Sequence, residues 1–222
     1  MQAHENLRPS QRHFRRLLRS VAGWLSPEAS IVDIASNDAE FRHLFGQRRY
    51  VAIDASAREL QRAVELGRCE LAVVGDIRMP PLQEESWDLV LTTNTLLHIS
   101  QSEATAAVLA LRGAVRPGGF LVMTLPFSWF KPIRDQVLSQ DRIVEVRSIR
   151  NGIVRFADRL FVFGRRRVRG TLRGSRWRAL SGRLAMIAAL VLGEIGNLPL
   201  VKELLWPDDR WIVVVPGKRV SR

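Results

Sequence analysis

Between residues 31 and 93 the chain carries four short apolar runs, IVDI, YVAID, LAVVG and DLVLTT, separated by segments of loop or helix length. Continuous apolar runs of this length, as opposed to alternating ones, belong to strands buried on both faces. Strands of that kind, joined by crossovers, assemble into a mostly parallel sheet with helices on both faces. The spacing predicts strands at 31–35, 50–54, 71–75, 88–93 and 119–125. It predicts helices from about 38, at 56–66 and at 101–115, with a Pro80-Pro81 loop after the third strand. An opening helix comes before them, since Phe14, Leu17, Leu18, Val21 and Leu25 recur at helical spacing with arginines on the other face.

After Pro126 the rhythm changes. RIVEVRSIRNGIVRFA places Asn151-Gly152 between two alternating runs, a hairpin signal. RLFVFG, an arginine-rich stretch and an apolar helix-like run from about 179 to 205 follow, and RWIVVVPGK at 210–218 reads as a last strand. The expected organisation is an N-terminal helix and core over 1–126, a basic α/β insertion over 127–209, and a last core strand with its tail over 210–222.

Charge separates these regions. The net charge is +12, yet 13 arginines face only Glu145 and Asp158 between Arg142 and Arg183, while the remainder holds 21 basic and 20 acidic residues. The basicity therefore belongs to one segment and marks a contact surface or a solvated flank. The longest uncharged apolar run, LAMIAALVLG at 184–193, ends at Glu194, well short of the roughly 20 residues a spanning helix needs. Cys69 is the only cysteine and makes no intramolecular disulfide. The opening MQAHENLRPSQRHFRR lacks the apolar core of a signal peptide, so the expected location is cytoplasmic or membrane-peripheral. No Cys/His cluster has metal-ligand spacing, and no metal is expected.

In open α/β sheets ligands bind beyond the carboxyl ends of the strands. Three carboxylates fall there: Asp33 in the first strand, Asp54 closing YVAID and Asp76 closing LAVVGD. Asp54 follows Asp33 by 21 residues, the distance at which an acidic residue on the second strand can accept from both hydroxyls of a ribose. An adenosine-containing ligand is the natural candidate.

Four blocks in the right order then resemble the class I S-adenosylmethionine-dependent methyltransferases, over about 30–126: IVDIASNDAEF, YVAIDAS, GDIRMPPLQEESWDLVLTTNTLLHI and LRGAVRPGGFLVMTLP. RWIVVVPGK is similar to that family's antiparallel seventh strand. The resemblance implies a Rossmann-like fold and S-adenosylmethionine as cofactor. It implies that Asp33, Ala35, Ser36, Asn37 and Asp38 sit against the methionine part, that Asp54 holds the ribose hydroxyls, that Asp76 accepts from the adenine amino group, and that Ile77 packs on the ring. Asn94 would line the path between cofactor and acceptor, and His98 falls where the family often places an acceptor-side histidine.

One departure from the family stands out. Its D-x-G-x-G-x-G pattern falls on Asp33, Ala35, Asn37 and Ala39, so every glycine is replaced. A pyrophosphate-binding dinucleotide site suffers most from that loss, because it needs close backbone approach and a helix N-terminus. S-adenosylmethionine carries no phosphate. Asn tolerates positive φ better than other side chains, and Ser36, Asn37 and Asp38 are good N-caps for a following helix. A relaxed turn would accommodate Ala35 and Ala39, whose methyl groups could otherwise crowd the cofactor.

The expected activity is methyl transfer to a small-molecule, lipid-linked or glycan-linked acceptor. RNA methylation and a non-catalytic binding fold are the alternatives. Trp129 and Phe130 would either wall the acceptor pocket or cover the core. The segment 142–206 has three readings: peripheral contact with an anionic membrane, nucleic-acid binding, or a solvated flank.

Overall fold

The computed structural model describes residues 8–69, 71–138, 145–148, 152–169, 176–196, 198 and 210–216. It divides into two compact units: Arg19–Arg147 with Asp209–Arg222, and Met1–Leu18 with Ser148–Asp208.

The first unit is built on a seven-stranded sheet of order β3-β2-β1-β4-β5-β7-β6. Its strands are β1 (Ser30–Ile34), β2 (Arg49–Asp54), β3 (Leu71–Val74), β4 (Trp87–Thr92), β5 (Val115–Pro126), β6 (Glu145–Ser148) and β7 (Arg210–Pro216). β1 pairs in parallel with β2 and β4, β2 with β3, and β4 with β5, while β7 runs antiparallel to β5. The strand order reverses direction between β1 and β4, and such a switch point opens a crevice at the carboxyl ends.

Successive residues Ile31, Val32, Asp33 and Ile34 of β1 are all buried, as are Asp88 to Thr92 of β4. Side chains alternate between sheet faces, so both faces of these central strands are covered. One covering layer is α3 (Gln101–Ala114), whose Ala104, Ala107, Val108 and Leu111 join Val32, Val90 and Leu121 in the core. A capping box starts that helix: Ser100 accepts from the Glu103 amide and the Glu103 carboxylate accepts from the Ser100 amide. Ser56 caps α2 (Ala57–Glu65) in the same way, through the Glu59 amide.

The WDLV block has a structural use as well. Asp88 accepts from the Ser30 amide and hydroxyl at 2.8 and 2.9 Å and pairs with Arg116, pinning the start of β1 to β4 and β5. In RPGG, Gly118 adopts φ +80, and a Cβ on Gly119 would lie 2.7 Å from the Asp88 carbonyl oxygen. Both glycines are required for β5 to enter beside β4.

After β5 the chain forms α4 (Phe127–Val137). Trp129 and Phe130 lie on it, half-buried and packed against the core.

The second unit is helical and corrects two expectations. The segment expected as the second half of a hairpin is α5 (Gly152–Arg169), with Asn151 outside the described residues. Val154, Ala157 and Phe161 are fully buried at helical spacing, so the 3.6 period prevails over the apparent alternation. α6 (Arg176–Gly196) realises the helix-like run, whose residues 199–205 lie outside the described ones. The opening helix α1 (Pro9–Ala22) buries the expected stripe, but its first ten residues group with α5 and α6. Ser10 is one reason, since its amide and hydroxyl donate to the buried Asp158 of α5 at 3.1 and 2.6 Å.

Candidate active site

At the end of β1 the chain turns through Ala35, Asn37 and Ala39 with φ of 56, 53 and 52°. These are the three positions where the family pattern has glycine. The backbone is left-handed at all three although the glycines are gone, so the relaxed turn, one of the two possibilities the sequence leaves open, does not form. Left-handed backbone costs an L-residue roughly 1–2 kcal/mol, less for Asn. Tertiary hydrogen bonds hold the turn in place. The Ser36 amide donates to the Ile53 carbonyl at 3.1 Å, and the Asn37 amide donates to Asp54 Oδ2 at 2.8 Å.

The same geometry removes the helix expected from about residue 38. A left-handed residue at every second position cannot continue a right-handed helix, and only a short 3-10 turn, Arg42–Leu44, follows. Ser36, Asn37 and Asp38 are therefore not N-caps. Asp38 instead receives Arg68 Nη1 at 2.6 Å, with Arg62 Nε at 3.8 Å.

A cavity of about 800 Å³ opens above this turn. Its walls include Ala35, Ser36, Asn37 and Asp38 from the turn, Asp54 from β2, Asp76 and Ile77 from beyond β3, and Asn94 and His98 from beyond β4. Of the two alanines only Ala35 faces the cavity, because Ala39 is fully buried beneath it.

Asp33 is the one expected site residue absent from that wall. Its carboxylate is fully buried, Oδ2 accepting from the Tyr50 hydroxyl at 2.5 Å and Oδ1 without a partner. Burial, reinforced by the charges of Glu40 and Asp54 and opposed by the Tyr50 bond, raises its pKa to about 7.

Asp54 ties two elements together. Oδ2 receives the Asn37 amide and Oδ1 receives the Ser56 amide, both at 2.8 Å. Each oxygen keeps a second lone pair, enough to accept two ribose hydroxyls. Asp76 is clasped by Arg78, whose Nε lies 3.0 Å from both oxygens and whose Nη2 lies 2.5 Å from Oδ2. Those contacts lower its pKa to about 2 and keep the carboxylate an acceptor. Gly75 permits the approach, since a Cβ there would lie 2.8 Å from Pro81. Asn94 also has positive φ, 58°, and its amide donates to Thr124 Oγ1 at 2.6 Å, which leaves the side chain toward the cavity. His98 ends the 3-10 turn Leu96–His98, exposed on the rim.

Sequence reasoning missed Thr93, Thr95, Glu40, Phe41, Glu59 and Arg62, all on the wall. Glu59 and Arg62 were discoverable, because they lie three residues apart on one face of the helix that follows Asp54. Phe41 was hidden by the helix that does not form.

The electrostatics select a ligand type. Asp38, Glu40, Asp54, Glu59 and Asp76 face Arg62 around the cavity, and counting Arg68 and Arg78 behind them leaves an excess of two negative charges. No helix N-terminus follows β1. A pyrophosphate meets a net negative wall and no helix N-terminus after β1, whereas a cationic ligand with ribose hydroxyls fits.

Comparison with known proteins agrees with this geometry. Residues 32–123 match the family model described as Methyltransferase domain. No curated protein sequence matches the chain. Among solved structures, Haemonchus contortus phosphoethanolamine N-methyltransferase 2, with phosphomonomethylethanolamine and S-adenosylhomocysteine, is similar at 13% identity and TM-score 0.60. That match covers 93% of this chain and 52% of that one, so this chain spans about half its length. A putative sarcosine dimethylglycine methyltransferase from Galdieria sulphuraria matches at 12% identity and TM-score 0.56, over 93% and 85% of the two chains. The [4+2]-cyclase SpnF matches at 14% identity and TM-score 0.58, over 93% and 82%. The strand order and the match over 32–123 converge on one conclusion: the sheet unit has the Rossmann-like fold of the methyltransferase structures it resembles, and its residues 32–123 are similar to a methyltransferase domain.

Proposed function

We propose that this protein transfers the methyl group of S-adenosylmethionine to a nucleophile on a small molecule or on a lipid- or glycan-linked acceptor. The observation that carries the reading is the acidic cavity at the switch point, with Asp54 at the end of β2 and the glycine-like turn beside it. S-adenosylmethionine supplies an activated methyl group with its leaving group built in, so the protein's contribution is chiefly alignment and desolvation. Asp54 would hold the ribose hydroxyls and Asp76 the adenine amino group, with Ile77 as an apolar side wall. The excess negative charge of the walls favours the sulfonium and ammonium groups. Thr93, Asn94, Thr95 and His98 form the wall beyond β4. There the imidazole of His98 is the group suited to take the proton released by an acceptor nucleophile.

The fold by itself leaves the reaction open, since a [4+2]-cyclase shares it. The H. contortus enzyme was solved with a small phosphorylated amine, which supports a small-molecule acceptor here. Titration calorimetry with S-adenosylmethionine tests the reading, and Asp54→Ala should weaken binding about 10- to 150-fold, as expected for losing hydrogen bonds to a charged group. No measurable heat with the natural protein would remove the assignment, and unchanged affinity in the variant would remove Asp54 from the site.

A further inference from the structure

In α6 the large side chains point outward. Leu180, Leu184, Ile187, Val191 and Ile195 are between 41% and 58% exposed and recur every three or four residues, forming one continuous face. The opposite, buried face is made of Gly182, Ala189 and Gly193. A Cβ at Gly182 would lie 2.8 Å from the Gly164 carbonyl oxygen of α5, and one at Gly193 would lie 2.4 Å from Pro9 of α1. Small residues at the helix contacts with large apolar ones turned outward is the packing helices adopt when the surroundings are themselves apolar.

α5 repeats the theme with charge added. Phe156 and Phe163 are exposed, and Arg155, Arg159 and Arg166 are exposed on the same side of the helix, at positions one to three residues away. The Arg167 guanidinium lies 4.9 Å from the centre of the Phe163 ring. Arg183 is exposed on α6.

We infer that the α5–α6 unit is a docking surface for an anionic lipid membrane, lying in the interface with its apolar side chains inserted and its arginines at headgroup level. Three partners compete for such a surface, and only one matches both properties. Nucleic acid answers the 13 arginines between 142 and 183 and leaves the Leu/Ile/Val face in water. A second copy of the chain would cover the apolar face but bring the same positive segment against itself. An anionic bilayer satisfies charge and apolar area together. No helix among the described residues is long and apolar enough to cross a membrane, so the mode of contact is in-plane. The inference does not depend on the proposed methyl transfer.

Co-sedimentation of the full chain with vesicles of phosphatidylcholine alone, and of phosphatidylcholine with phosphatidylserine, tests it at low and high salt. Binding to the anionic vesicles only, weakened by salt, is expected. Each basic residue near such a surface contributes roughly fivefold in affinity, so Arg159→Gln/Arg166→Gln/Arg183→Gln should lose roughly a hundredfold. Ile187→Gln/Val191→Gln should also lose at least about tenfold, by removing inserted apolar area. Both variants change exposed positions, and thermal melting alongside the parent separates a binding loss from unfolding. An RNA gel shift without vesicle binding would overturn the inference. So would self-association abolished by Ile187→Gln/Val191→Gln, equal binding to neutral vesicles, or binding to neither vesicle.

Discussion

The sheet unit and the helical unit treat their apolar side chains in opposite ways. In the sheet, β1 and β4 bury consecutive residues on both faces, and even the carboxylate of Asp33 is taken inside, where it accepts from the Tyr50 hydroxyl. In α6, Gly182, Ala189 and Gly193 are buried while leucines, isoleucine and valine face out. The contrast separates two uses of similar composition. A packed core holds a cavity in a costly backbone geometry, whereas a close-packed helix pair frees its large side chains for something outside the chain.

The largest expected effect concerns what the sheet unit buries. Asp33 has a folded pKa of about 7 against an ordinary value near 4. Below about pH 4 it is neutral in both states. Between there and pH 7 the unfolded chain ionises while the folded protein keeps the proton, so stability falls with rising pH, by on the order of 4 kcal/mol in all, and levels off above. Asp33→Asn keeps an acceptor for Tyr50 and should remove this slope. Urea unfolding at a series of pH values checks it, and parallel profiles for parent and variant would show that Asp33 does not carry the dependence.

A smaller effect is expected in the helical unit. A methyl group on Gly164 would sit 2.6 Å from the Gly182 carbonyl oxygen. Gly164→Ala should therefore cost about 1–3 kcal/mol in melting experiments and leave S-adenosylmethionine affinity unchanged. If affinity fell in parallel with stability, the two units would be less independent than their contrast suggests.

The smallest effect tests the turn after β1. At Ala35 glycine would relieve roughly 1–2 kcal/mol of left-handed strain against about 0.5–1 kcal/mol of added chain entropy, for a net gain of about 0.5–1 kcal/mol. At Ala39 the buried methyl group contributes about 0.8 kcal/mol, so Ala39→Gly should come out near zero. Ala35→Gly should keep ligand affinity within a few-fold. A gain of orders of magnitude would mean that the Ala35 methyl obstructs the cavity.

The parts legible in the sequence are those set by local pattern. Runs such as DLVLTT, the Ser100/Glu103 capping box and the Pro117-Gly118-Gly119 turn specify their elements within a few residues, and the observed elements follow. Asp54, Asp76, Ile77 and Asn94 were legible because a strand end places its next residue at the crevice whatever else the chain does. The expected helix from 38 failed because good N-caps and helix formers were outweighed by hydrogen bonds to Ile53 and Asp54, which are 17 residues away or more. The expected hairpin failed because Ile153, Val154 and Phe156 fit a period of two only over a short stretch, whereas the buried Val154, Ala157 and Phe161 need the longer helical period.

The sequence by itself determined the parallel sheet, the acidic strand ends and the concentration of arginine after residue 142, since apolar run length and charge act locally. Only the tertiary structure decided that Ala35, Asn37 and Ala39 take positive φ, that Asp33 is buried against Tyr50 and away from the cavity wall, and that α6 turns its large side chains outward. Left-handed backbone persists only where distant hydrogen bonds impose it, and which face of a helix is buried depends on the partner it meets. Here those partners are Gly164 and Pro9, residues that no local reading of α6 contains.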